Sequence, residues 1–417
     1  MQFDFNNASF KDFEDIEGLD IYVRAARFNA FLDHLEGQDR LNYRLVIQEN
    51  YGPEVLLRPP GSREARRMVS LVSNDYWGLS QHPEVISAAI KGIQTWGTGT
   101  GASPAIGGHY AYHEQLEQAT AKFFGREAAM LYTTGYTANS ATVQCLLRKE
   151  DIAIFDQKVH ASMYEGGLLT NTKTFPHNDL NALEHVLKTT QNYRSRLVII
   201  DGVYSQDGDL SHMPGILALC RQYGAFLCVD DAHGIGIMGQ TGRGAIEHFG
   251  LLAEVDLITG TFSKTFGHLG GYVVASPELI RHLKYQSRQH LFSVTATPAS
   301  AGILRAMELI DEEPFWKDQL WENIRYLKSG LESLGLDTGI TQSAIVPVRI
   351  GDVGKTLECG RMLLEAGIYA NPIMYPAVAK HDTRIRMNLM ATHTRGLLDK
   401  VLNAYDHINQ KLQLSKL

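Results

Sequence analysis

The chain has 417 residues, 44% of them apolar and 20% charged, an ordinary globular balance with core enough for one large domain and a smaller one. A formal net charge of −7 with no basic stripe argues against a nucleic-acid binder. The cysteines, Cys145, Cys220, Cys228 and Cys359, are scattered with no C-x-x-C pair, so neither a zinc site nor a disulfide framework is expected.

The acidic start, MQFDFNNASFKDFEDIEGLD, lacks a signal pattern. No apolar run approaches the roughly 20 residues of a membrane span, and the expectation is a soluble cytoplasmic protein. Residues 1–66 read as an N-terminal arm, with helical spacing from Ile21 to Leu35 and a break at Arg58-Pro59-Pro60-Gly61. Met68 to Val72 predicts a strand that ends in Ser73-Asn74-Asp75-Tyr76-Trp77-Gly78-Leu79, and a helix follows from Glu84 to Thr95. The glycine-rich run GTGTGASPAIGGHYAYHEQLE, Gly97 to Glu117, is no dinucleotide fingerprint, since no strand precedes it and its spacing is wrong. A close backbone approach and a plain flexible loop both fit it. A helix is predicted from Tyr112 to Phe124.

Ala128 to Tyr132 predicts a strand, turned by Thr133-Thr134-Gly135-Tyr136-Thr137 into a helix from Ala138 to Leu147. Small residues at a helix N-terminus offer amide groups and a positive dipole end to a phosphate, and many βα turns that bind nothing have the same composition. Strand Ile152 to Phe155 delivers His160 just past its end. Strand Leu197 to Ile200 leads into Asp201-Gly202-Val203-Tyr204-Ser205, and the helix Met213 to Tyr223 follows.

The next stretch, Ala225 to Gly271, holds two apolar runs that end abruptly in polar groups. Ala225 to Val229 delivers Asp230, Asp231 and His233; Leu257 to Ile258 delivers Thr261, Ser263 and Lys264. In parallel α/β sheets functional groups collect at the carboxyl ends of strands. Singly, Asp230 reads equally as a helix cap, His233 as a core histidine and Lys264 as a solvated lysine. Together, Asp-x-x-His and Thr-x-Ser-Lys suit pyridoxal 5'-phosphate, an aldehyde cofactor with a ring nitrogen and a phosphate, held by a lysine.

Gly270 to Ala275 predicts one more strand. Pro314 opens an amphipathic helix, with Trp316, Leu320, Ile324, Leu327, Leu331 and Leu334, that Gly335 stops. Strands over Ile345–Ile350 and Arg384–Leu389 and a helix over Leu397–Leu412 close the chain. The expected organisation is an N-terminal arm over 1–66, a large α/β domain with a mostly parallel sheet over 67–313, and a small α+β C-terminal domain over 314–417.

In family order, SNDYWGL, GTGTGASPAIGG, TTGYTAN, KVHASMYEG, DGVYSQDGD, VDDAHGIG, GTFSK, HLFSVTATPAS and RIRMNLMATHT make the chain resemble the α-oxoamine synthases from about Met68 to Leu412. These are pyridoxal-phosphate enzymes of the aspartate-aminotransferase-like fold that condense an amino acid with an acyl thioester and lose carbon dioxide. The resemblance implies Lys264 as the Schiff-base lysine and Asp230 as the partner of the ring nitrogen. It implies His160 against the ring face, His233 and Ser205 near the phenolic oxygen, and Thr261, Ser263 and the amides of Gly135 and Tyr136 around the cofactor phosphate. It also implies Asn74 and Arg386 at the amino-acid carboxylate. Thr295 would come from the neighbouring subunit of a homodimer with shared sites.

Within the family, RIRMNLMATHT and NPIMYPAV look most like the soluble bacterial serine palmitoyltransferases. That likeness implies a 3-ketosphinganine-type base made from serine, or from cysteate with His109 meeting the sulfonate, and a long-chain acyl group on coenzyme A or a carrier protein. The family alternative uses glycine or alanine with a short or dicarboxylic thioester. An aminotransferase on the same fold stands further off because of the ATPAS and MATHT segments, and a non-catalytic subunit because Lys264 is present. Two departures bear on substrate: Pro104 stands where the family commonly has arginine, and Gly107-Gly108 where it has Asn-Gly.

Overall fold

A computed structural model describes residues 4–5, 8–38, 40–41 and 43–414. They form two compact units, one of 74–321 with 342–344, the other of the described residues of 1–73, 322–341 and 345–417. The stretch read as an arm over 1–66 therefore groups with the C-terminal residues. The reason is backbone pairing: Arg66–Ser70 bonds antiparallel to Glu54–Leu57 and parallel to Ile368–Tyr369. The division falls inside the helix Phe315–Ser333, after Trp321, and not ahead of it at 313/314.

The larger unit is built on seven strands: β1 (Ala128–Tyr132), β2 (Ile152–Asp156), β3 (Asn171–Phe175), β4 (Arg196–Asp201), β5 (Phe226–Asp230), β6 (Leu257–Thr261) and β7 (Gly271–Ala275). Their order is β1-β7-β6-β5-β4-β2-β3. The sheet is mostly parallel, as expected; β7 alone runs antiparallel to both its neighbours. β2, β6 and β7 are buried along their whole length, which explains their continuous apolar runs. Ala138, Ala141 and Val143 from the helix Gly135–Leu146 and Ile280 and Leu283 from Pro277–Gln286 pack on β1, β2 and β4. Each large side chain so buried contributes about 1.5–3 kcal/mol. β3, NTKTF, went unpredicted because it is a polar edge strand with an exposed middle.

The smaller unit carries a four-stranded sheet, ordered Ile47–Asn50, Glu54–Leu57, Arg66–Ser70, Ile368–Tyr369. A separate antiparallel sheet is ordered Ile345–Arg349, Arg384–Asn388, Asn371–Ile373. Asn323 ties its helix to the 390–393 turn, its amide donating to the carbonyls of Met390, Ala391 and His393 at 3.0, 3.2 and 2.9 Å. Among the described residues no helix is long and apolar enough to cross a membrane.

In the larger unit one imidazole clamps a strand end to a loop. His177 Nδ1 meets Asp156 Oδ1 at 3.0 Å and its Nε2 meets Asp209 Oδ2 at 2.8 Å, while the ring of Tyr204 packs edge-on at 4.3 Å. A ring facing carboxylates through both nitrogens donates from both and is protonated. Burial works against that charge, but the bonds to Asp156 and Asp209 outweigh it and raise the His177 pKa from 6.5 to about 9. Burial likewise opposes the charge of Asp156, whose pKa is nonetheless held below its ordinary 3.8 by His177 and by the amides of Lys158 and Asn178. The clamp thus joins the strand end leading to His160 to the loop carrying Ser205. Because the folded pKa of His177 lies above the unfolded one, its stabilisation is complete below pH 6.5 and is lost as pH rises through about 9. Urea unfolding at pH 6.5 and pH 9.5 should show the wild type losing stability and His177→Gln losing markedly less. Equal losses would show that the clamp carries no charge.

Candidate active site

The parallel strands set their carboxyl ends side by side, and the polar residues beyond them surround a cavity of about 220 Å³. Asp230, at the end of β5, lines it and is 7% exposed. Its Oδ2 accepts from Asn139 Nδ2 at 2.6 Å and its Oδ1 from the Ala232 amide at 3.0 Å. Two N–H donors stabilise the carboxylate in its charged form. The register of β4 and β5 sets Asp201 directly opposite Asp230. Asp201 is fully buried and its pKa lies well above the usual carboxylate range, driven by burial and then by the neighbouring Asp230 charge. The His160 amide donates to its Oδ1 at 3.4 Å. Of the two adjacent acids, Asp230 thus has the two short N–H donors, while burial and then the Asp230 charge favour the protonated form of Asp201.

Asn139 also reaches Ser162 Oγ at 2.9 Å, and Ser162 Oγ lies 2.7 Å from His160 Nδ1. Ser162 accepts from Asn139, so its hydroxyl proton points to His160 Nδ1, which is an acceptor and leaves the ring proton on Nε2. Burial, with the Lys264 charge adding to it and Asp230 opposing, lowers the His160 pKa and keeps the ring neutral at pH 7. His233 Nδ1 lies 2.7 Å from the buried Tyr76 hydroxyl, which is in turn 3.4 Å from Asn74 Oδ1.

The opposite wall is the N-terminus of the helix Gly135–Leu146. This helix starts earlier than the expected Ala138, at Gly135 itself. Thr134 caps it through Thr137 N at 3.0 Å, so the first amides, of Gly135 and Tyr136, open from its positive end. A Cβ on Gly135 would lie 2.6 Å from Thr261 Cβ, so glycine lets the helix end approach β6 this closely. Thr261 Oγ1 donates to the Gly270 carbonyl at 2.9 Å and accepts from Ser263 N at 3.1 Å, with Ser263 Oγ at 2.7 Å. Lys264 and Ser205 complete the lining.

Asp231 does not line the cavity. It is fully buried and accepts from Ile246 N at 3.1 Å. Added Cβ atoms on Gly202, Gly234 and Gly244 would come within 2.5, 2.0 and 2.2 Å of its carboxylate. The turn from Asp230 to His233 is thereby packed around a second acid, whose pKa burial pushes up to about 7.

Of the residues singled out in the sequence, Gly135, Tyr136, His160, Ser205, Asp230, His233, Thr261, Ser263 and Lys264 meet at this cavity. Thr295 and His109 do not line it. Thr295 is buried beside Ala296, whose carbonyl accepts from Tyr112 Oη and His113 Nε2, and His109 stacks on His113 at 5.6 Å. Arg386 belongs to the smaller unit, on Arg384–Asn388. Sequence reasoning missed Asn139 and Asp201. Asn139 stands one helical turn beyond Gly135, on the same face, and that spacing was the available signal.

A buried charged acid, a lysine amine, a neutral imidazole and a helix end flanked by two hydroxyls answer the ring nitrogen, aldehyde, ring face and phosphate of pyridoxal phosphate. Among the described residues no cluster of His, Cys, Asp and Glu could hold a metal ion.

A sequence model of the family described as aminotransferase class I and II matches residues 66–404. The 8-amino-7-oxononanoate synthase of Thermoanaerobacter pseudethanolicus is 39% identical over 86% of this chain and 93% of its own length. The structure of Sphingomonas wittichii serine palmitoyltransferase matches with a TM-score of 0.90 at 29% identity, covering 95% of this chain and all of that one. A structure of SPT with PLP matches equally well, with a TM-score of 0.90 at 28% identity over 95% of this chain and 100% of the other. The fold is thus the aspartate-aminotransferase-like one, and the cofactor is pyridoxal phosphate.

Asp230→Asn should lower turnover by about 100-fold and shift the absorption of bound cofactor, because the amide cannot hold a proton on the ring nitrogen. Asp201→Asn, which replaces an already neutral acid, should keep turnover within about twofold and leave the spectrum unchanged. Equal damage from the two changes would overturn the assignment of the charge to Asp230.

Proposed function

The chain belongs to the α-oxoamine synthases of the class I and II aminotransferase family, and from that premise we propose that it joins alanine to a dicarboxylic acyl thioester with loss of carbon dioxide and release of the thiol. The observation that carries this substrate choice is the 39% identity to an 8-amino-7-oxononanoate synthase over most of both chains. Retracing the bonds of 8-amino-7-oxononanoate, the amine-bearing carbon and its methyl come from alanine, and the remaining oxo acid from a linear diacid. This reading replaces serine or cysteate with a long-chain acyl group as the first choice of substrates.

When bound, pyridoxal phosphate draws into its ring the electron pair left at the amino acid's α-carbon. Asp230, held charged by Asn139 and the Ala232 amide, keeps a proton at the ring nitrogen. His160, neutral and oriented by Ser162, offers its flat face to the ring. Lys264 Nζ removes the α-proton and returns a proton to that carbon after carbon dioxide has left. The amides of Gly135 and Tyr136 with Thr261 and Ser263 receive the phosphate, and His233 and Ser205 face the phenolic oxygen. Arg386, whose fork suits a carboxylate, and Asn74 hold the amino acid. Thr295, set apart from the cavity lining, serves the partner's site in a homodimer.

A second reading, serine with a long-chain acyl thioester, draws on the TM-score of 0.90 to serine palmitoyltransferase. Titrating the holoenzyme with alanine, glycine, serine and cysteate while following the cofactor absorption separates the two. Alanine should saturate the response at the lowest concentration, and a dicarboxylic acyl thioester should then release thiol and carbon dioxide in equal amounts. Tighter response to serine, with turnover only on long-chain thioesters, would install the second reading. Arg386→Ala should raise the half-saturating alanine concentration by more than about tenfold with the cofactor spectrum intact.

A further inference from the structure

The smaller unit contains a cavity of about 390 Å³, larger than the one around Asp230 and within the range of small-molecule sites. Its walls are largely apolar, with the rings of Phe10, Phe31, Tyr43 and Tyr375 beside Leu357 and Met374. The rings brace one another. Phe31 stacks on Phe13 at 4.9 Å and meets Phe10 edge-on at 6.0 Å, and Phe10 lies 5.0 Å from Tyr43.

Arg40 and Lys380 also line this cavity. Lys380 stands 5.5 Å and Lys11 5.8 Å from the centre of the Tyr375 ring. The acid facing them is Asp12, near enough to Lys380 to feel its charge, and its carboxylate already accepts from the Ser9 amide and hydroxyl at 2.7 and 2.8 Å. A smaller cavity of about 90 Å³ shares Arg40, Tyr43, Leu357 and Met374 with it and is lined by Arg44 as well. Phe10, Phe31, Arg40 and Tyr43 all precede residue 66, where the match to the family begins.

The geometry points to a binding site for an aliphatic chain that ends in a carboxylate, its alkyl part between the aromatic walls and its carboxylate on the Arg40 guanidinium. Burying methylenes against rings supplies affinity, and the guanidinium fork selects a carboxylate over a cationic or neutral end. The inference concerns a site separate in composition from the one around Asp230 and does not depend on which amino acid the enzyme uses.

Calorimetric titration of the full-length holoenzyme with octanoate tests it, with octylamine and octanoyl-pantetheine as probes that keep the alkyl chain and lack the carboxylate. Octanoate should bind saturably and at least about tenfold tighter than either. Arg40→Gln should remove that preference. Gly354→Leu should fill the cavity: Gly354 lies on its wall within the helix Val353–Glu365, and an added Cβ would meet nothing closer than Asp352 Oδ1 at 3.4 Å. That variant should weaken octanoate by about tenfold or more with far-UV circular dichroism and cofactor absorption unchanged. Octanoate binding that is undetectable, indifferent to Gly354→Leu, or no tighter than that of octylamine or octanoyl-pantetheine would overturn the proposal.

Discussion

The larger unit is arranged around the need to keep one carboxylate charged at the end of a buried sheet. Parallel strands bring their carboxyl ends together, and here the register sets Asp201 beside Asp230 on neighbouring strands. Two adjacent buried acids cannot both ionise cheaply. The donors decide between them: Asp230 takes a side-chain amide and a backbone amide, whereas Asp201 is left with a distant one. That allocation places strict demands on the helix Gly135–Leu146. It must offer Asn139 to Asp230 from one turn and open its first amides into the cavity from the turn before. Gly135 against Thr261 lets both happen at once.

Two further acids at the same edge of the sheet face a similar cost and meet it differently. Asp156 is matched by a cation, His177, which is itself held by a second carboxylate, Asp209. Among the described residues no cation pairs with Asp231. It accepts a backbone amide at a helix start and sits where three glycines leave room for it. The outcomes differ accordingly: Asp156 stays ionised far below neutrality, while Asp231 titrates near it. Burial penalises charge in every case, and the available donor or counter-charge sets the protonation state of each strand end.

This explains which parts of the site were legible in the sequence. VDDAHGIG and GTFSK betray themselves because a β-branched run stops abruptly at reactive groups, and a strand end is a local event. His160 and Ser205 were legible for the same reason. Asn139 was not, because its meaning depends on a partner 91 residues away. Asp201 was visible as a residue, but its role follows from register with β5, which no local pattern specifies. The fold shows the same division. Apolar runs revealed the buried strands, whereas the polar edge strand Asn171–Phe175 left no such mark. The grouping of the N-terminal stretch with the C-terminal residues rests on pairing between Arg66–Ser70 and Ile368–Tyr369, some three hundred residues apart.

Substrate choice is hardest to read because the cavity around Asp230 answers the cofactor, which every branch of the family shares. The differences must lie where the backbone is kept and the side chains change. Residues 104–108 are such a place. Pro104–Ile106 forms a single 3-10 turn, followed by Gly107 at φ +107° and Gly108, whose added Cβ would strike the Ala102 carbonyl at 1.9 Å. Gly108 is therefore required by contact, and Gly107 is not: nothing lies within 4 Å of a Cβ there. Its positive φ suits glycine, and asparagine is among the residues that best tolerate the left-handed region. Replacing the family's asparagine by Gly107 can thus keep the turn and delete an amide. Pro104 and Gly107 carry no charge and no side-chain hydrogen-bonding group, so this stretch can offer a ligand only backbone and the side chains around it.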